Sequence, residues 1–340
     1  MPSTRAYKTG AIISGATTDG TTIVADSAAT TGLRYTPTGL SNPIINGGMD
    51  VWQRGTSFTV SNGTYLMDRW YNTGNASLTV TRDTDVPTTP YFNYSAKLVG
   101  TGTQSISQRI ESAESTKLTG QVVTISLYAK KTSGTGALDI NIYYPSATDN
   151  FASVTQIGSA LQMSANPGSS WARYSVTTSA LPADVQKGLL VLINNTNTHT
   201  IFVTGVQIDV GSVALPFRRA GGTLQGELAA CQRYYWRATT TGLYGGFASG
   251  WAENTSAGIF VIPYPVTMRT AATSVDWSTL TLHDGNNLSQ VSTLALYNNG
   301  ANTAGSIRTT QTSAALTQYR PYQILANNST SAYIGFSAEL

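Results

Sequence analysis

Charge is scarce in this sequence. Only 11% of its 340 residues are Asp, Glu, Lys or Arg, against about a quarter in an ordinary soluble protein. The net charge is +3 and no Lys/Arg cluster occurs, so nucleic acid has no electrostatic footprint to bind. Cysteine appears once, at Cys231, which excludes an internal disulfide framework. Histidine appears twice, and no Cys/His cluster has metal-ligand spacing. No stretch approaches the roughly 18 apolar residues of a membrane span. The opening MPSTRAYKTGAIISG lacks the apolar run of a signal peptide. The expectation is a chain with no nucleic acid partner, no membrane insertion, no metal and no cofactor. It would be made in a cytoplasm and delivered by assembly.

What remains is polar without being charged. Gly, Ser, Thr and Asn abound, yet 41% of residues are hydrophobic, enough to bury cores rather than stay disordered. Residues 1–40 are too poor in apolar side chains to bury a core alone, although TTIVA (21–25) and GLRYTP (32–37) look like strands. Ile12, Ile13, Ile23, Val24 and Leu33 would be wasted in free coil, so this leader reads as an attachment arm that orders on a partner.

From residue 41 short strands alternate with turns. VVTISLYAKK (122–131) sets Val123, Ile125, Leu127 and Ala129 against Thr124, Ser126, Tyr128 and Lys130. ALDINIYY (137–144) does the same with Leu138, Ile140, Ile142 and Tyr144, and WARYSVTT (171–178) with Tyr174 and Val176. KGLLVLIN (187–194) is continuously apolar, as a strand covered on both faces should be. IFVTGVQIDVG (201–211) is expected to place Phe202, Val206, Ile208 and Val210 on one side and Gln207 and Asp209 on the other. Residues 41–219 thus read as an antiparallel β-sandwich. Leu224, Leu228, Cys231 and Tyr235 recur at helical spacing, so 220–236 reads as a short helical linker. Strand candidates resume at 242–252, 257–266, 274–285, 291–299 and 331–340, giving a smaller β-domain over 237–340. The fold class is all-β: a sandwich, a second β-domain and an extended arm.

The segment NGGMDVWQRGTSF (46–58) puts Asp50, Trp52 and Arg54 at alternate positions, on one face if the stretch is a strand. Asp68, Arg69 and Trp70 follow in MDRWYN, and Arg109 and Glu111 in SISQRIE. Three arginines and three acids in so charge-poor a chain predict a structural polar network of ion pairs that fix strand register. Trp52 and Trp70 then serve as pillars of the first strands.

A depolymerase would need paired carboxylates. Asp83/Asp85 and Glu111/Glu114 both fall in loops, where such acids are ordinarily turn formers. His199 and His283 also sit in loop-like sequence, and no phosphate loop or nucleophile elbow occurs. The expectation is a protein without enzymatic activity. A binding face is offered by Tyr128, Asp139, Asn141 and Tyr143, whose aromatic rings and planar polar groups suit either a glycan or a neighbouring subunit.

Taken in order, NPIINGGMDVWQRGTSF, MDRWYN, SISQRIE, LTGQVVTISLYAKK, VTGVQIDVGSVALPFRR, ELAACQRYY and PVTMRTAAT resemble a family of tailed-bacteriophage virion proteins described as tail fibre or minor structural proteins. The leader TDGTTIVADSAATTGLRYTPTG is similar to the linker that precedes this series in them. The strands of 118–219 are also similar to the jelly-roll carbohydrate-binding modules of glycoside hydrolases. The resemblance implies a virion component, a homotrimer held to other virion proteins through its arm, that adheres to host surface glycan. The alternative is a capsid decoration or cement protein clamping neighbouring capsid subunits. A calcium near Asp209 would suit the carbohydrate-module resemblance, but few acids lie near it.

Overall fold

A computed structural model describes residues 42–340 apart from 61–62, 74–77, 90, 101–102, 133–136, 164, 196–199, 299 and 313–314, with the backbone of 21–25 and 33–37. Strand makes up 49% and helix 8%, so the chain is all-β. In the leader, β1 (Thr21–Ala25) and β2 (Leu33–Pro37) pair antiparallel. His199 lies outside the described residues, as does the rest of residues 1–40.

The sandwich runs through β3 (Ser57–Val60), β4 (Tyr71–Asn72), β5 (Leu78–Asp83), β6 (Ser95–Gly100), β7 (Gln104–Ile110), β8 (Val123–Lys131) and β9 (Leu138–Ala147). It continues through β10 (Asn150–Gln156), β11 (Leu161–Gln162), β12 (Ala172–Thr177), β13 (Leu189–Asn195) and β14 (Thr200–Val210). One sheet has the order β10-β9-β13-β7-β4, with β11 also on β9, and the other β12-β8-β14-β6-β5-β3. Their inner faces share one core. The alternation read in β8 and β9 is realised there: Val123, Ile125, Leu127, Ala129, Leu138, Ile140 and Ile142 are all buried in it. In β13, Leu189, Val191 and Ile193 enter this core, while Leu190 and Leu192 join Phe151 on the outer side.

The expected phase of β14 holds for Val206, Ile208 and Val210 and is corrected at Phe202. Ile201, Val203, Val206 and Ile208 face the core, and Phe202 points outward to Trp171, 6.3 Å between rings. The cause is a bulge between Thr204 and Gln207, where Gly205 takes φ +64°. One extra residue reverses which side chains face in. A Cβ at Gly205 would also lie 2.6 Å from the Phe92 ring.

After the sandwich comes the helix Leu224–Gln232, capped by the Thr223 hydroxyl on the Gly226 N–H. Its predicted apolar face is corrected too. Cys231 is buried, but Leu224 and Leu228 are 45% and 38% exposed, and Tyr235 already belongs to the next strand. The helix buries Glu227 instead, whose carboxylate accepts from the Asn46 and Gly221 N–H groups. Burial pushes the Glu227 carboxyl above the usual range against those two bonds, and it pushes the Cys231 thiol well up.

The remaining strands are β15 (Tyr235–Thr239), β16 (Gly246–Ala252), β17 (Ala257–Pro263), β18 (Ser274–Ser278), β19 (Leu280–His283), β20 (Leu288–Leu296), β21 (Ala304–Gln311), β22 (Pro321–Ala326) and β23 (Tyr333–Ser337). Six of them close a barrel, β16-β17-β21-β20-β19-β22, and β15-β23-β18 form a small sheet beside it. Phe260, Ile262, Leu282, Ile307, Ile324 and Phe336 belong to a second, separate core. No described helix is long and apolar enough to cross a membrane.

Candidate functional site

The stretch that carries Asp50, Trp52 and Arg54 is not a strand but a series of turns. Asn46 and Met49 take positive φ, and Gly47 lets the chain press onto the Val206 carbonyl, where a Cβ would collide. The three side chains therefore go separate ways. Asp50 pairs with Arg219 at 2.8 Å. Trp52 stacks on Phe58 and donates its Nε1–H to the Met49 carbonyl at 2.7 Å. Arg54 reaches Glu339 at 3.3 Å and Asp68 at 4.0 Å, and lies over the Tyr235 ring.

The predicted network exists, but apart from Arg54–Asp68 its ion pairs reach residues outside the predicted set. Arg69, 1% exposed, pairs with Glu339 and donates to the Arg109 carbonyl. Arg109 and the Tyr65 hydroxyl both donate to the Leu340 carbonyl. Glu111 takes Arg233 and the Tyr234 hydroxyl, each at 2.8 Å. Trp70 donates to the Asn46 carbonyl at 3.1 Å. These pairs do not set strand register. They tie sandwich residues to residues 233–235 and 339–340, which the sequence pattern gave no reason to bring near.

Electrostatics follow from this burial. Asp68 is lifted above the usual carboxylate range by burial, with Arg54 and Gln53 opposing. Burial alone would weaken the Arg69 cation, but Glu339, Tyr234 and Tyr65 together outweigh it and its pKa lies above the ordinary value. The Tyr65 hydroxyl is pushed up to about 12 by burial, then by Glu339. Glu111 lies below the usual range, because Arg233 and Tyr234 outweigh the upward effect of burial.

The proposed binding face is divided. Asp139, Asn141 and Tyr143 lie together on the outer side of β9. Tyr128 belongs to the other sheet, against Phe92 at 5.2 Å and under Arg173. The reason is topological: β8 and β9 do not pair with each other, each pairing with other strands. What β9 does assemble is read from register. Tyr143 stands beside Leu190 on β13, which stands beside Arg109 on β7, and Gln156 of β10 flanks Tyr143 on its other side. The next row is Asn141, Leu192, Ser107 and Tyr71. The third is Gln162, Asp139, Asn194 and Ser105.

This outer face combines apolar floor with planar polar groups. Phe151, Leu190 and Leu192 form a small cluster with Tyr143 and Leu340 packed on it. The Arg109 guanidinium lies 4.1 Å over the Tyr71 ring. Ser105 donates to Asn194 at 2.8 Å. Asp139 Oδ1 is buried without a hydrogen-bond partner, and burial raises the Asp139 carboxyl, with Lys131 opposing. Leu190, Leu192, Phe151, Arg109 and Tyr71 were not singled out in the sequence as parts of a binding face. The continuous apolar run of 187–194 was the available signal, since it requires cover on both sides of β13.

The acid pairs are engaged elsewhere. Asp83 accepts from the Asp85 N–H, while Asp85 holds Lys130 and Trp171. Glu114 pairs with Lys117 at 2.7 Å. Asp209 is buried and holds Arg218, the Leu215 N–H and Gln207. No group of three or more His, Cys, Asp or Glu among the described residues could hold a metal ion.

No protein-family model and no curated protein matches the sequence. Solved structures similar to part of it include the enzymatically active domain of tailspike protein 4 from Bacteriophage CBA120. That match has 16% identity and a TM-score of 0.34, covering 50% of this chain and 21% of that one. A CBM22 xylan-binding domain from Paenibacillus barcinonensis has 17% identity and a TM-score of 0.31, covering 46% of this chain and 94% of that one. A C-terminal family 22 carbohydrate-binding module of Clostridium thermocellum has 12% identity and a TM-score of 0.32, covering 47% and 100%. At such values the likenesses carry no statement about ligand.

Proposed function

We propose that the protein is a non-enzymatic virion component that attaches to host surface glycan through the outer face of its first sheet. The observation that carries this reading is that the half-buried Tyr143 and Asp139 and the exposed Gln156 stand together on that face, over the buried Leu190 and Asn141. Aromatic surface suits the CH faces of a sugar ring, and planar amide and carboxyl groups suit its hydroxyls. Engagement of Asp83, Asp85, Glu111 and Glu114 in other bonds supports binding without hydrolysis. A trimer mounted by residues 1–40 belongs to the same proposal.

The test is a glycan array of bacterial surface polysaccharides followed by calorimetric titration of the best binder. Changing Tyr143 and Asn141 to Ala should abolish saturable binding. Binding that survives both changes would reject this face. Release of reducing sugar from any array member would reject the non-enzymatic reading. The capsid decoration alternative is favoured by the groove of about 340 Å³ among Asp50, Val51, Trp52, Gln53, Leu224 and Leu228, where exposed leucines beside polar groups suit a protein contact. Hundreds of copies on the head in electron micrographs of virions would decide for it.

A further inference from the structure

The barrel carries large apolar side chains on its outside. Trp251 is 45% exposed, Leu288 51% and Tyr319 76%. Isolated exposed apolar residues need no explanation, but Trp251 and Leu288 stand, in strand register, beside residues that line a cavity. Strand register places Ser249, Gln323, His283 and Leu288 in one row across β16, β22, β19 and β20. With strands about 4.8 Å apart, the row spans roughly 14 Å. Trp251 and Pro321 pair in the neighbouring row. Tyr319 is held beside them, its N–H donating to the Ala252 carbonyl at 2.8 Å. A cavity of about 380 Å³ opens here, lined by Ser249, His283, Asp284, Pro321, Tyr322 and Gln323. That is the lower end of the range for small-ligand sites.

The polar groups of this cavity divide into two kinds. Asp284 is fully engaged: Oδ1 accepts from the Asn286 and Asn287 N–H groups, and Oδ2 pairs with Arg320 at 3.1 Å. This fixes the loop at one end and leaves no unbalanced charge facing the groove. Ser249 and Gln323 each offer both a donor and an acceptor, and His283 adds its ring nitrogens. A sugar hydroxyl also does both, whereas an anion or a cation would call for one sign.

We propose that this wall of the barrel is a second binding site, for a neutral saccharide, with Trp251 as the stacking platform and Ser249, His283 and Gln323 as hydroxyl partners. The site is distinct from the sandwich face and stands whether or not that face binds. A size of one or two sugar rings fits the cavity, and Leu288 stands beside His283 at one side of it.

The test uses the full chain and an array of neutral xylo-, cello-, manno- and galacto-oligosaccharides, with polygalacturonate fragments as the acidic control. Binding is read from tryptophan fluorescence and from fluorescence polarisation of labelled sugars. W251A should weaken neutral-sugar binding by about tenfold or more. The paired change H283A/Q323A should do the same while the far-ultraviolet spectrum stays that of the parent, which separates loss of the site from loss of the fold. Both effects should persist in a Y143A/N141A background, where the sandwich face is disabled. Failure of every neutral sugar to bind, or binding that vanishes in that background, overturns the barrel site, the latter leaving the sandwich reading in place. Preference for the acidic control overturns it as well. So does W251A that leaves sugar binding intact but dissociates an oligomer, which would make this wall a subunit contact.

Discussion

The sandwich and the barrel solve the same problem, covering the faces of antiparallel sheet, in different ways. The sandwich joins two sheets face to face and keeps its edges, with β10 and β4 ending one sheet and β12 and β3 the other. The barrel has no edge at all. Their use of charge differs more. Asp68, Arg69, Glu111, Lys131, Asp209 and Glu227, the charged residues buried as whole residues among the described ones, all precede residue 237. Ion pairs within the barrel keep at least one partner nearer water, Arg308–Glu253 with both about a third exposed and Arg320–Asp284 with Arg320 45% exposed. Buried charge is therefore not a general device of this chain. It gathers at the sandwich and at its junction with the C-terminal strands, where an unpaired partner would be costly and the wrong docking is excluded.

The largest test of this contrast is Glu339→Ala, which strands the buried Arg69 cation. A loss of about 3–5 kcal/mol is expected, and calorimetry should resolve a single transition into two as the sandwich and barrel uncouple. An unchanged single transition would mean that the junction depends on other contacts. Next come paired core truncations. Phe260→Ala and Ile140→Ala should each cost about 2–5 kcal/mol. In the Glu339→Ala background the first should lower only the barrel transition and the second only the sandwich one.

Gly205→Ala sharpens the account of the sandwich alone. Its positive φ and the crowding by Phe92 and Tyr128 predict a loss of about 1–3 kcal/mol, seen in denaturant unfolding. No comparable loss is expected from Gly246→Ala in the barrel, where a Cβ finds ordinary contact with Leu325. The smallest effect concerns pH. The Glu111 pKa is lowered on folding, so its contribution is complete above the ordinary glutamate value and is lost as pH falls through the folded one. Glu227, raised by burial, acts in the opposite sense: its contribution is complete below its unfolded value and fades as pH rises through its folded one. Glu111→Gln should flatten the acid side of a plot of unfolding midpoint against pH, and an unchanged acid limb would deny Glu111 this part.

Much of the sandwich could be read from sequence because its strands bury apolar residues on one side. Val123, Ile125, Leu127 and Ala129 announce β8 without help. The barrel hides better. In β21 the buried positions are Gly305, Ile307, Thr309 and Gln311, a row in which polar and small residues fill the interior and no alternation of hydropathy survives. β22 escaped notice as well. A single long strand over 274–285 is in fact β18 and β19, broken at Thr279 with φ +55°. The parity of β14 failed at Gly205, since a bulge leaves no mark in hydropathy.

The site divides along the same line. Which residues of β9 face outward was legible from alternation, so Asp139, Asn141 and Tyr143 do share a face. Which sheet a strand joins was not. Neighbours in sequence usually pair, but β8 pairs with β12 and β14, which takes Tyr128 away from the β9 residues it was grouped with. The polar network was recognised from scarcity of charge alone. Its true partners, Glu339, Arg233 and Arg219, lie more than a hundred residues away from the residues they hold, beyond the reach of any local pattern.

The central claim is that the outer face of β9 and β13 holds glycan. The most direct test is titration of the best-binding bacterial surface oligosaccharide into the wild-type chain and into Y143A/N141A, both followed by calorimetry. The account predicts saturable binding to the wild type, lost in the variant with the unfolding temperature little changed. Equal affinity for both proteins, or no binding of any array glycan to either, would contradict it.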